Sequence, residues 1–160
     1  MRTPVTLRID LRDVVVARAL DQPGIAQATS DVRLMISNNQ RWAAPLGDMV
    51  AEILAQDLEQ RLPGGSVRRD MAPIMDAADV VMGVVLDRFE ADAAGHAVLS
   101  AQLTLRLAGM RILRSCRVEV VIAPDGRSTA ALVAALSLAL GRVADRAAST
   151  LSITPAVDLP

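Results

Sequence analysis

Arg41-Trp42-Ala43-Ala44-Pro45-Leu46 opens an amphipathic run that ends at Leu62. Leu46, Met49, Val50, Ile53, Leu54, Leu58 and Leu62 recur at steps of three and four, which puts them on one side of a helix. Asp48, Glu52, Gln56, Glu59 and Gln60 fall on the opposite side. Pro45 suits the first turn, where its missing N–H removes a donor that would be unpaired anyway. Pro63-Gly64-Gly65 stops the helix, because proline cannot continue it and glycine tolerates the turned backbone.

Outward from this helix, strand patterns dominate. Val5, Leu7, Ile9 and Leu11 alternate with Thr6, Arg8, Asp10 and Arg12, which predicts a half-buried strand with one wet face. Val14–Ala19 reads either as a loop or as a short continuation. Asp21-Gln22-Pro23-Gly24 is a turn signal, Val32–Ser37 a short strand, and Asn38-Asn39-Gln40 the turn into the Trp42 segment. Beyond the helix, Ser66–Arg69 reads as a short strand and the chain through Pro73 as a loop.

Asp79–Glu90 carries apolar residues on both faces at first, the pattern of a central, well-covered strand. After a turn at Asp92–Gly95, Leu99, Ala101, Leu103, Leu105 and Leu107 alternate with Ser100, Gln102, Thr104 and Arg106. Ala108-Gly109 turns the chain into Arg111–Ile122, with Ile112, Cys116, Val118, Val120 and Ile122 facing inward. Short connections make these three an antiparallel meander. Following a turn at Pro124-Asp125-Gly126, Ser128 or Thr129 can cap a second helix running to about Ser152. Its apolar stripe is Leu132, Val133, Leu136, Leu140, Val143, Ala147 and Leu151. Ala134, Ser137, Gly141, Ala144 and Ala148 form a second, small-residue face open to close approach by another backbone.

The expected architecture is α+β: a single antiparallel β-sheet with two long α-helices packed on one face. Ser100, Gln102, Thr104, Arg106, Arg117 and Glu119 lie on the other face. Residues 1–152 read as one domain and 153–160 as a tail. A chain of 160 residues is long enough for a substantial core, and with one Trp, one Phe and no Tyr that core is aliphatic. A net charge of −1 opposes nucleic-acid binding, which needs a concentrated basic face. All 17 basic residues are arginine. No run reaches the roughly 18 apolar residues that span a bilayer, and no signal peptide is visible before the first strand.

Site chemistry is sparse. His96 is the only histidine and sits in a turn, where a triad or a metal centre would need partners at fixed spacing. Cys116 falls on the inward register of its strand, as a small buried hydrophobe does. Asp76, Asp79, Asp87 and Glu90 form no dyad, and the glycines form no phosphate-binding pattern. No catalytic residue, metal ligand or cofactor is therefore expected. Arg8, Arg106 and Arg117, with Asp10 and Glu119, read as a solvated ladder over the exposed sheet face. Trp42 is either a hydrophobic staple at the start of the helix or a partner-binding anchor, since tryptophan is over-represented in interface hot spots. From the residues alone, the expectation is a soluble α+β domain without an active site that binds a partner.

One block goes further. Asn39-Gln40-Arg41-Trp42-Ala43-Ala44-Pro45-Leu46, followed by Val50, Leu54, Leu58 and Leu62 at intervals of four, resembles the signature of the ABC-type transport auxiliary lipoproteins, the paraquat-inducible protein C-like group. Val5–Leu11, Gln22-Pro23-Gly24-Ile25, the paired strands Asp79–Glu90 and Val98–Leu107, and the helix Ala131–Ala148 resemble the rest of that family. The resemblance implies a periplasmic, non-catalytic lipoprotein anchored to the outer membrane, with its signal peptide and lipidated cysteine ahead of Met1, since Cys116 lies deep in the domain. It also implies partners: a mammalian-cell-entry (MCE) domain protein with its ABC permease and ATPase, moving lipids or other hydrophobic molecules between membranes, and homo-oligomeric rings in some members. Candidate partner-binding residues are Arg41, Trp42, Pro45 and Leu46, with the small-residue helix face and the polar sheet face as further surfaces. Alternatives are a lipid-binding carrier with an internal cavity and an outer-membrane regulator of cell-wall synthesis.

Overall fold

The computed structural model describes residues 7–18, 20, 24–30, 33–41, 45–62, 64–69, 78–107 and 112–153. Seven strands and two helices follow in the order β1 (Arg8–Val16), β2 (Gly24–Ser30), β3 (Arg33–Arg41), α1 (Leu46–Arg61), β4 (Ser66–Arg69), β5 (Val80–Ala91), β6 (Ala97–Leu107), β7 (Ile112–Ile122) and α2 (Thr129–Ile153). The strands form one sheet. Both helices pack on the same face of it, α1 over β1 and β4, and α2 over β6 and β7. The α+β class and the two-helix layer expected from the sequence are what the chain adopts.

The sheet is mixed rather than antiparallel throughout. β5, β6 and β7 form the expected antiparallel meander, and β2 pairs antiparallel with β3. β1 runs parallel to both β4 and β5. The cause is connectivity: α1 lies between β1 and β4, and a helical crossover returns the chain in the same direction, as a hairpin cannot. β2 meets the end of β5 in parallel at Gln27 and Ala91, beyond the last β1 contact at Val16 and Leu86. The β2–β3 hairpin thus continues the sheet past the end of β1.

Two bulges shape the strands. β5 buries Val80, Met82, Val84 and Leu86, then Phe89 and Ala91, and the step of three coincides with a register shift between Leu86 and Arg88. β1 buries Ile9 and Leu11, then Val14, with its own shift between Leu11 and Val14. An extra residue reverses which face the following side chains occupy. That is why Val14–Val16, ambiguous by alternation, belongs to β1. The expectation that β5 is covered on both faces does not hold, since Val85 on the outer face is 39% exposed. The outer-face valines reflect β-propensity at a half-wet position.

Two further readings change. β2 carries no strong alternation and was not expected, and Asn38-Asn39-Gln40, read as a turn, lies inside β3. The turns at 21–23 and 108–109, the loop through Pro73 and the tail 154–160 fall outside the described residues. α1 buries Leu46, Val50, Ala51, Leu54 and Leu58 as its periodicity requires. It ends where Gly64 takes φ 80° and the Gly65 N–H donates to the Leu62 carbonyl at 2.8 Å. Ser128 caps α2, its hydroxyl accepting from the Ala131 N–H at 3.1 Å. Leu54, Leu58, Met82, Leu99, Leu103 and Leu136 are fully buried between the layers, each contributing about 2 kcal/mol of transfer free energy.

Candidate partner-binding surface

The β3–α1 junction holds the four residues singled out by sequence. Arg41 ends β3, with its backbone registered on Gly24. Trp42 lies outside the described residues. Pro45 is the residue before α1, extended at φ −51° and ψ 134°, and its carbonyl accepts from the Met49 N–H at 3.1 Å. Pro45 is exposed. Leu46, one residue on, is 4% exposed and packs in the core. The junction therefore presents one face to solvent at Pro45 and roots itself in the core through Leu46. Gly47 makes this possible: a β-carbon there would lie 3.0 Å from the Val14 carbonyl oxygen. The first turn of α1 thereby sits directly on the end of β1. A glycine in the first turn of a helix that otherwise lacks one was the available signal.

Over the outer sheet face, the expected ladder of Arg8, Arg106 and Arg117 separates into local clusters. Arg117 on β7 is the hub of one. Its guanidinium donates to the Ser100 hydroxyl at 3.1 Å, to Glu119 at 3.3 Å, and pairs with Asp87 at 3.2 Å. It thus ties three strands together, reaching β5 at the bulged residue Asp87. Gln102 donates to the Ser115 hydroxyl at 2.6 Å beside it. Glu90, 3% exposed, is held by Arg88 at 2.7 Å. Arg8 belongs elsewhere. Its backbone N–H and side chain both donate to Asp79, at 2.8 and 3.2–3.3 Å, while the Asp79 N–H donates to the Arg8 carbonyl. The hydrogen bond from the Arg8 side chain is the main reason the Asp79 carboxyl titrates below its ordinary range.

The small-residue face of α2 divides in two. Ala144 and Ala148 are buried, while Ala134 and Ser137 face solvent. Gly141 lies between them, under the end of α1: a β-carbon there would be 3.3 Å from an Arg61 guanidinium nitrogen. Arg61 pairs with Asp145 on α2 and donates to the Asp57 carbonyl at 2.9 Å. At Gly141 the small face thus admits side chains from the end of α1, closed by an interhelical ion pair.

The remaining reactive groups are structural in their contacts. Asp92 accepts from the Ala94 and His96 N–H groups at 2.9 and 2.8 Å, with the His96 ring 3.3 Å away, and so closes the β5–β6 turn. Burial pushes its carboxyl up, but these contacts outweigh burial and hold it below the ordinary range. Cys116 is half-buried beneath α2 with other partly buried residues of β7. Among the described residues, no three His, Cys, Asp or Glu side chains converge as metal ligands. No helix among them is long and apolar enough to cross a membrane.

Comparison with known proteins gives this surface its context. Residues 2–148 match the family described as "ABC-type transport auxiliary lipoprotein component". The Escherichia coli K12 protein named intermembrane transport lipoprotein PqiC is 32% identical over 116 residues, which is 72% of this chain and 60% of PqiC. A Shigella flexneri protein of the same name matches equally. The chain thus aligns with less than two thirds of the length of these relatives. Among solved structures, protein XCC0632 from Xanthomonas campestris superposes with a TM-score of 0.80 at 24% identity, over 94% of this chain and 86% of that one. An uncharacterized protein superposes with a TM-score of 0.82 at 21% identity, over 94% and 96% of the two chains. These two structures share the fold.

Proposed function

Because the chain belongs to the family of ABC-type transport auxiliary lipoprotein components, we propose that it is the non-catalytic adaptor of an MCE-type ABC transport system that moves lipids or other hydrophobic molecules between the inner and outer membranes. In this reading it is periplasmic, tethered to the outer membrane by a lipid, and docks the MCE protein that the permease and ATPase serve. The observation that carries it is the family match across residues 2–148, together with the likeness to a protein named for intermembrane transport. The fold supports it chemically. Among the described residues, Arg8, Arg61 and Arg117 are spent on strand-to-strand and helix-to-helix ties, which suits a rigid body that presents surfaces.

The docking surface is the β3–α1 junction. Arg41, Trp42 and Pro45 are its contact residues, and Leu46, buried next to Pro45, roots the start of α1 in the core. Affinity capture of the tagged full-length protein from detergent-solubilised envelopes, read by mass spectrometry, tests the reading. Recovery of an MCE protein with its permease and ATPase is expected, and Trp42→Ala at unchanged melting temperature should reduce it. Recovery of cell-wall synthases instead would overturn the adaptor in favour of a regulator of wall synthesis. A lipid retained in native mass spectra, with no transporter captured, would favour a carrier.

A further inference from the structure

An open groove of about 700 Å³ runs between β7 and α2. β7 pairs with β6 along one edge, and along its other edge it pairs with nothing among the described residues. The groove is lined from both faces of that strand: Val118 and Val120 from the inner side, Arg117 and Glu119 from the outer. A strand seen from both faces at once is seen edge-on, and alternate residues of such an edge turn free N–H and C=O groups outward. Above the edge stand Arg142 and Arg146, one turn apart on α2 and both exposed.

The charges here are unevenly spent. Asp145 is paired with Arg61, and Glu119 with Arg117, which also holds Asp87. Arg142 and Arg146 form no ion pair among the described residues, so of the three arginines and two carboxylates that line the groove these two guanidinium groups are the ones left unpaired beside the strand edge. Their spacing has a counterpart. Four residues of helix advance about 6 Å, and two residues of strand advance about 6.6 Å. A strand laid along β7 would therefore offer alternate side chains, all on the α2 side, at the spacing of the two guanidinium groups.

We propose that the free edge of β7 receives an extended acidic segment of a partner polypeptide by strand addition, with carboxylates at alternate positions meeting Arg142 and Arg146. The main-chain ladder supplies the attachment, and the arginines select the charge and set the register. The partner's place in a transport system rests on the adaptor reading, but the strand addition does not. It is tested with pure components, whereas the adaptor is tested by capture from envelopes, so either can fail alone.

The probe is a synthetic peptide of alternating glutamate and threonine, titrated against the full chain at low salt by fluorescence anisotropy. Its lysine counterpart should bind at least about tenfold more weakly, and Arg142→Gln with Arg146→Gln should weaken the glutamate peptide by about the same factor. Methylating alternate amide nitrogens of the peptide should abolish binding at unchanged charge, a control that leaves the protein untouched. Binding indifferent to peptide charge, or unchanged by methylation, would overturn the proposal. So would a dimer, seen by ultracentrifugation, that buries β7 and excludes the peptide, because the edge would then belong to a second copy of this chain.

Discussion

The guanidinium of Arg61 lies over the bare backbone of Gly141, 3.3 Å from where a β-carbon would stand. This contact joins the end of α1 to the middle of α2 and positions Arg61 for Asp145. Replacing Gly141 with alanine favours the helix by about 1 kcal/mol, against a few tenths of an ångström of movement at the free end of a flexible side chain. Gly141→Ala should therefore raise stability, by less than that full amount, in urea unfolding. A loss would show that Arg61 is locked in place.

The Arg61–Asp145 pair itself should contribute little. Asp145 is 57% exposed, and pairs of this kind contribute about 0.2–1 kcal/mol. A double-mutant cycle with Arg61→Ala and Asp145→Ala should return a coupling in that range at low salt that shrinks as salt is added.

Leu54 is fully buried where α1 meets the sheet. Leu54→Ala should cost about 3 kcal/mol, the transfer term plus the cavity left behind. The measurement is the denaturation midpoint at unchanged slope. A cost under about 1 kcal/mol would mean that the helix does not seat as described.

Asp79 and Asp92 both titrate below their ordinary 3.8 in the folded chain. A carboxyl lowered on folding binds more protons in the unfolded state, so its stabilisation is complete above 3.8 and is lost as pH falls through the lowered value. Unfolding free energy should be flat above about pH 5 and fall at lower pH. Asp79→Asn, which keeps the shape but weakens the Arg8 contacts, should flatten part of that fall and cost about 1 kcal/mol at neutral pH.

Cys116 is half-buried. Cys116→Ser should cost no more than about 1 kcal/mol, since a hydroxyl at a partly wet position keeps some hydrogen bonding. Partner capture should be unchanged. Loss of capture at full stability would assign the thiol a role in binding.

Much of this architecture was legible along the chain. The spacing of Leu46, Val50, Leu54 and Leu58 marked α1, and the alternation from Leu99 to Leu107 marked β6. Ser128 or Thr129 marked the start of α2, and the Arg41–Leu46 block marked the family. The bulges were harder to see. Asp87 breaks the alternation of β5, but only its ion pair with Arg117, two strands away, shows why the break is there. Of the candidate site, Pro45 and Leu46 were named together, yet burial assigns them opposite tasks.

Local periodicity in the sequence determined which segments are helix and which are the long strands, because those states depend on neighbours a few residues apart. Strand direction and partnership depend on groups far apart in the chain, and only the tertiary structure decided them. It set β1 parallel to β4 and β5, stretched Asn38-Asn39-Gln40 into β3, and drew Arg8 to Asp79 across 71 residues. In each case a non-local backbone or side-chain partner outweighs a weak local preference, and that partner is not written beside the residue it binds.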